Sequence, residues 1–154
     1  MDDREPLTTV EKAAILIDVD IFHEVPSDAL AELAARMDDA WHAPDDVLVE
    51  PGGVEARLSV VVSGVLKVVR GTRTVCEVRA GQTFGLLASI GLPHDDQVIA
   101  VSECRVLSVS SDDYLDALAD SIAFALSSLR ALGRRLQACE QGVSSPAPAG
   151  ADTP

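Results

Sequence analysis

The middle of the chain alternates short, valine-rich segments with turn-forming residues at nearly regular spacing. Most of these segments end at a glycine or proline turn, such as Pro51-Gly52-Gly53, Ser63-Gly64 or Gly71-Thr72. Strands this short and this regularly spaced are typical of an antiparallel barrel or jelly roll. The predicted strands are Val47–Glu50, Leu58–Ser63, Val65–Arg70, Arg73–Val78, Gln97–Val101 and Arg105–Ser110.

Helices are predicted before these strands. Leu7–Phe22 begins with a helix that Thr8 or Thr9 can cap, and Thr8 with Glu11 has the spacing of a capping box. A second helix has Ser27 as its expected N-cap. Its apolar residues recur on one side of the helix, at Leu30, Leu33, Ala34 and Met37. The sole tryptophan, Trp41, follows and is expected at the edge of the core.

Two more helices are predicted after the last strand. Ser111 can cap Asp112–Leu118, and Asp120 or Ser121 can cap a longer helix that ends near Gln137. The longer helix carries a coiled-coil-like seam for self-association or a protein partner, formed by Ile122, Leu126, Leu129 and Leu136. The pattern as a whole predicts an α+β fold, with a barrel or jelly roll between two groups of helices over residues 7–140. Residues 141–154, rich in Pro, Ala, Gly and Ser, are expected to be disordered.

Composition limits the partners of the chain. The net charge is −13, from 25 acidic and 12 basic residues, which opposes binding to nucleic-acid phosphates or to an anionic membrane surface. No apolar run approaches the ~18 residues that a membrane-spanning helix needs. The three cysteines, Cys76, Cys104 and Cys139, lack the spacing of a disulfide framework or a zinc site. A reduced, cytoplasmic compartment is therefore expected.

One segment departs from the regular strand pattern. Residues 81–97 read GQTFGLLASIGLPHDDQ, in which Gly81 and Gly85 interrupt the alternation and Leu86–Ile90 can form one or two helical turns. A short helix that opens directly after a glycine turn leaves backbone N–H groups without partners, and such groups suit an anion. The candidate ligand-binding residues are Phe84, Gly85, Leu86, Leu87, Ala88, His94 and Asp95.

This segment resembles the phosphate-binding cassette of the cyclic-nucleotide-binding domain family, which reads roughly Phe-Gly-Glu-Leu-Ala, a loop, then Pro-Arg-Ser/Thr-Ala. The residues that match are Phe84, Gly85, Leu87, Ala88 and Pro93. The order of elements over residues 8–137 also resembles bacterial catabolite-activator-like sensor domains. The resemblance implies that the short helix and an arginine would hold a cyclic phosphate, and that the glutamate would hold the ribose.

The cassette departs from the family at the positions that carry this chemistry. Leu86 replaces the glutamate, His94 the arginine and Asp95 the small hydroxyl residue. The usual recognition of cAMP or cGMP is therefore expected to be lost. We therefore expect a non-catalytic regulatory or interaction module in signal transduction, which acts through protein contacts or through a ligand other than cyclic AMP. Its pocket could have collapsed, with Leu86 packed into the barrel. The alternative is a functional cyclic-nucleotide sensor with an altered pocket.

Other functional classes have less support. The three histidines, His23, His42 and His94, are far apart, so the ligand set of a metal-dependent cupin enzyme is not expected, and no nucleophile motif is recognisable. We therefore expect no catalytic residues, no metal and no cofactor. The DNA-binding branch of the family has a helix-turn-helix where this chain has only its polar tail, so no helix-turn-helix and no nucleic-acid partner are expected.

Overall fold

The computed structural model of the protein describes residues 5–52, 56–92 and 95–144. Its strands are β1 (Asp38–His42), β2 (Val47–Val49), β3 (Arg57–Ser63), β4 (Val65–Arg70), β5 (Arg73–Arg79), β6 (Thr83–Phe84), β7 (Gln97–Ala100) and β8 (Cys104–Ser110). They form two four-stranded sheets, with strand orders β1-β8-β3-β6 and β2-β7-β4-β5. Every pairing is antiparallel. The predicted jelly-roll architecture is confirmed.

The helices lie before and after the strands, except for one short helix between β6 and β7. They are α1 (Thr9–Ile17), a 3₁₀ helix (Asp20–Phe22), α2 (Ser27–Ala35), α3 (Leu86–Ser89), α4 (Ser111–Asp120) and α5 (Ile122–Ser144). The predicted capping box of α1 is present: Glu11 N–H donates to Thr8 Oγ1 at 3.2 Å, and Thr8 N–H donates to Glu11 Oε1 at 2.9 Å.

Three predicted helix ends are wrong, each for a local reason. Ser27 is the first residue of α2 rather than its N-cap, because Pro26 already has the extended backbone of a cap. Ser110 caps α4 in place of Ser111, since Ser110 Oγ accepts from Asp113 N–H at 3.2 Å. The third concerns α5, which continues past Gln137 to Ser144. No proline stops it before residue 146. Residues 145–154 of the predicted disordered tail lie outside the described residues.

Two apolar cores divide the domain. The first, which we call the helix-side core, lies between the helices and the outer face of the β1-β8-β3-β6 sheet. It contains Leu58, Val60, Leu107 and Val109. Aromatic contacts strengthen it, because Phe124 meets the ring of Phe22 edge-on at 5.6 Å. The second core lies between the two sheets, and it contains Val61, Leu66, Val78, Phe84, Val98, Ala100, Cys104 and Val106.

Candidate functional site

A cavity of about 1350 Å³ opens beside the second core. The described residues that line it come from β1, β2, β3, β6, α3 and β8, with a few from the connecting segments. Most of its walls are apolar, formed by Ala40, Leu48, Val49, Ala56, Phe84, Ala88, Leu92 and Val106. The cavity is therefore open among the described residues.

Strand alternation decides which side chains reach the cavity. On β3, Arg57 and Ser59 line it, whereas Leu58 and Val60 belong to the helix-side core. Because successive side chains of a strand point to opposite faces, the odd-numbered positions of β3 turn inward here. On β8 the even positions, Val106 and Ser108, do the same.

The register of the sheet brings polar side chains together on this face. Ser108 is the partner of Asp38 across β1 and of Ser59 across β3. Arg57 joins the row: its Nε donates to Ser108 Oγ at 3.1 Å, and its Nη2 donates to Asp38 Oδ2 at 2.6 Å. We call these four residues, Asp38, Arg57, Ser59 and Ser108, the polar row. None of the sequence patterns above indicates this row.

The cassette forms the mouth of the cavity. Gly85 has a left-handed backbone (φ 84°) and starts α3. Ser89 closes this turn twice, since its N–H and its Oγ both donate to Gly85 O, at 3.0 and 2.8 Å. Within the described ranges, the N–H groups of Leu86, Leu87 and Ala88 have no acceptor. The predicted short helix with unsatisfied amides is therefore present.

The predicted site residues do not all lie at this mouth. Phe84, Gly85 and Ala88 line the cavity. Leu86 is 4% exposed and packs in the helix-side core. Leu87 is exposed, and so is Asp95, and neither side chain lines the cavity. His94 lies outside the described residues. The side chains of Leu86 and Leu87 do not reach the cavity, because the turn of α3 sends neighbouring side chains in different directions. The seven-residue set stays a prediction, since these two residues would bind an anion through their backbone N–H groups.

The C-terminal helices are tied to the cassette by hydrogen bonds. Ser111 Oγ, at the start of α4, donates to Ser89 O at 2.7 Å. Arg135 Nη2, on α5, donates to Thr83 Oγ1 at 2.9 Å and to Asp20 Oδ1 at 3.2 Å. The contact of Arg135 with Thr83 links α5 directly to the strand that leads into Gly85.

The predicted seam on α5 faces away from the rest of the chain. Ile122 is 80% exposed, Leu126 42%, Leu129 62% and Leu136 60%. Gly133 lies in the gap of this stripe, and a Cβ atom there would meet nothing within 4 Å. The basic residues beside it form ion pairs, such as that of Arg130 with Glu24, which lowers the pKa of the Glu24 carboxyl.

Two other kinds of site are absent from the described residues. Residues 5–52, 56–92 and 95–144 contain no group of three or more His, Cys, Asp or Glu side chains placed to hold a metal ion. No helix in these ranges is long and apolar enough to cross a membrane.

Comparison with known proteins identifies the class. The family model for the cyclic nucleotide-binding domain matches residues 41–121, just over half of the chain. The chain therefore belongs to the cyclic nucleotide-binding domain family. Domains of this family have a regulatory sensor fold and are typically non-catalytic. A comparison with curated proteins found no match.

Solved structures share this fold. The sensor domain of the transcriptional regulator DNR from Pseudomonas aeruginosa matches with a TM-score of 0.75 and 20% identity, over 90% of this chain and 97% of that one. The catabolite activator protein of Thermus thermophilus matches with a TM-score of 0.71 and 19% identity, over 80% of this chain and 61% of that protein's chain.

A third similar structure is a mutant regulatory subunit, bound to cAMP, of a cAMP-independent protein kinase A from Trypanosoma brucei. It matches with a TM-score of 0.71 and 15% identity, over 84% of this chain and 48% of that one. The chain spans only 41–50% of the kinase A regulatory chains that it matches.

Proposed function

We propose that this chain is a non-catalytic regulatory module in which the recognition of cAMP and cGMP has been lost. The observation that carries the proposal is the placement of Leu86. The resemblance puts a ribose-binding glutamate at this position, yet the leucine is 4% exposed and packs in the helix-side core. Its side chain offers no hydrogen-bond acceptor and does not line the cavity.

Charge supports the same conclusion. At the position of the phosphate-binding arginine, neutral His94 brings no fixed charge, and Asp95 follows it. The side chain of Asp95 is exposed and does not line the cavity, so its charge opposes a bound phosphate only weakly, through water.

The Trypanosoma structure supports the importance of the missing arginine. That regulatory subunit comes from a cAMP-independent kinase, and its cAMP-bound form carries three substitutions, one of which changes threonine to arginine. By analogy, the double variant His94→Arg/Asp95→Thr should bind cAMP at least about tenfold more tightly than the wild type.

Isothermal titration with cAMP and cGMP tests the proposal. We expect no dissociation constant below about 10 μM for the wild-type chain. A lower value would favour the alternative, a functional cyclic-nucleotide sensor with altered contacts. The open cavity and the unbonded amides of α3 are the observations that favour that alternative.

The output of the module is proposed to be a protein contact made by α5. The exposed stripe Ile122, Leu126, Leu129 and Leu136 fits a second copy of this chain, since seams with this spacing pair with themselves. Gly133 supports this, because a glycine within a helix costs about 1 kcal/mol and no described residue lies within 4 Å of where its Cβ would be. The cytoplasmic location expected from the three unpaired cysteines is part of the same proposal.

A further inference from the structure

We propose that the cavity binds a monocarboxylate with an apolar body, and that Arg57, Ser59 and Ser108 receive its carboxylate. This inference deepens the proposed function, since it rests on a cavity that no longer serves cyclic nucleotides. The carboxylate would lie against the polar row on β3 and β8.

Ser59 is the first reason. Its side chain lines the cavity, and the residue is only 5% exposed. Within the described residues its hydroxyl has no hydrogen-bond partner. Its oxygen is open to the cavity, and a hydroxyl in such a place usually meets a ligand or water. Ser59 therefore marks a point where an incoming polar atom is favoured.

The second reason is that the row presents donors. Ser108 Oγ accepts from Arg57 Nε at 3.1 Å, which leaves the hydroxyl hydrogen of Ser108 available. Arg57 Nη1 carries two further N–H groups that meet no acceptor among the described residues. Two hydroxyls and the open side of a guanidinium thus converge on one face of the sheet. A carboxylate, which only accepts hydrogen bonds, complements this set.

Asp38 positions the arginine without cancelling its charge. It binds Arg57 Nη2 at 2.6 Å, and its side chain is 74% exposed, so water screens it strongly. The side chain of Arg57 is 29% exposed. This partly buried guanidinium is therefore held by Asp38 and Ser108 on one edge and keeps its Nη1 side for a ligand.

The walls define the rest of the ligand. Apart from the polar row, His42 and Glu50, the described lining is apolar, with Leu48, Val49, Phe84 and Val106 among its residues. Glu50 is exposed, so water screens its charge from a ligand at the polar row. A volume of about 1350 Å³ exceeds that of ordinary small-molecule pockets, about 300–1000 Å³. Walls of this kind suit a hydrocarbon or aromatic body far better than a ribose with its hydroxyl groups.

Calorimetric titration of the full chain with two acid–alcohol pairs tests the inference. The pairs are octanoate with 1-octanol, and 3-phenylpropionate with 3-phenyl-1-propanol. We expect at least one acid to bind about tenfold more tightly than its alcohol. The variants Arg57→Met and Ser59→Ala should each remove most of this preference. Ser59→Ala is the smaller change and keeps the test valid if Arg57→Met fails to fold.

Arg70→Gln is the matched control, because Arg70 pairs with Asp96 and does not line the cavity. In Arg70→Gln, the ratio of the affinity for each acid to that for its alcohol should equal the ratio in the wild type. Failure of both acids to bind, equal binding of acid and alcohol, or an unchanged preference in Ser59→Ala would overturn the inference. A cAMP titration of the same samples separates the two proposals, since tight cAMP binding contradicts the proposed function whatever the acids do.

Discussion

The carbonyl oxygen of Arg57 lies 2.1 Å from the point that a Cβ atom on Gly85 would occupy. No non-bonded carbon and oxygen can be this close, so the backbone of the cassette rests directly on β3. The same residue that offers its guanidinium to the cavity thus supports the start of α3 with its main chain. The start of α3 therefore has no room for a side chain at position 85.

Gly85→Ala should destabilise the fold by about 2–5 kcal/mol, because it adds this backbone clash to the strain of a left-handed residue. Gly81→Ala is the control. Gly81 has a similar φ of 86°, but a Cβ there would meet nothing within 4 Å, so only the strain of about 1–2 kcal/mol is expected. Urea unfolding of both variants measures the difference. Equal losses of unfolding free energy in the two variants would show that the backbone at Gly85 is not in close contact with β3.

Leu86→Glu should cost about 3 kcal/mol or more of unfolding free energy, because it places a carboxylate in the helix-side core. The neighbouring substitution Leu87→Glu is the control, since Leu87 is 51% exposed, and it should change stability by less than about 0.5 kcal/mol. Thermal unfolding of the two variants compares them. If Leu86→Glu is tolerated and raises affinity for cAMP, the side chain at position 86 can reach the cavity, contrary to our proposal.

Local patterns in the sequence were sufficient to predict most helices and strands, but they were not sufficient to predict the polar row. The capping box of Thr8 and Glu11 depends on residues three apart, and it is confirmed. Ser59 and Ser108 meet only because β8 lies between β1 and β3 in the sheet. The alternation of polar and apolar residues from Arg57 to Val60 indicates two faces of a strand, but it does not tell which face borders a cavity. That information depends on long-range pairing.

The pair of Asp39 and Arg105 should make stability depend on pH. Both side chains are more than nine-tenths buried, and Arg105 donates to both oxygens of Asp39, at 2.8 and 2.6 Å. These hydrogen bonds from Arg105 lower the pKa of the Asp39 carboxyl from its usual 3.8. The stabilisation is therefore complete above about pH 4, and it is lost as the pH falls through the lower pKa of the folded state.

Asp39→Asn should cost about 3 kcal/mol at pH 7, because it leaves the guanidinium of Arg105 buried without its counter-charge. The difference in unfolding free energy between the variant and the wild type should become smaller as the pH falls below 4, where wild-type Asp39 also becomes neutral. Glu77→Gln, in the exposed pair with Arg79, should cost less than about 1 kcal/mol at any pH. Urea unfolding from pH 3 to 7 gives these values, and a pH-independent gap would contradict the depressed pKa.

The stripe on α5 should hold two copies of the chain together. The double variant Leu126→Asp/Leu129→Asp places charge in the middle of the seam, so its molar mass should fall from twice 16.2 kDa to 16.2 kDa. Light scattering after size-exclusion chromatography measures this mass. Leu115→Asp, at an exposed leucine on α4 outside the stripe, should leave the dimer intact. A wild-type chain that stays monomeric at concentrations of about 100 μM, or a dimer that survives the double variant, would exclude the stripe as the contact between copies.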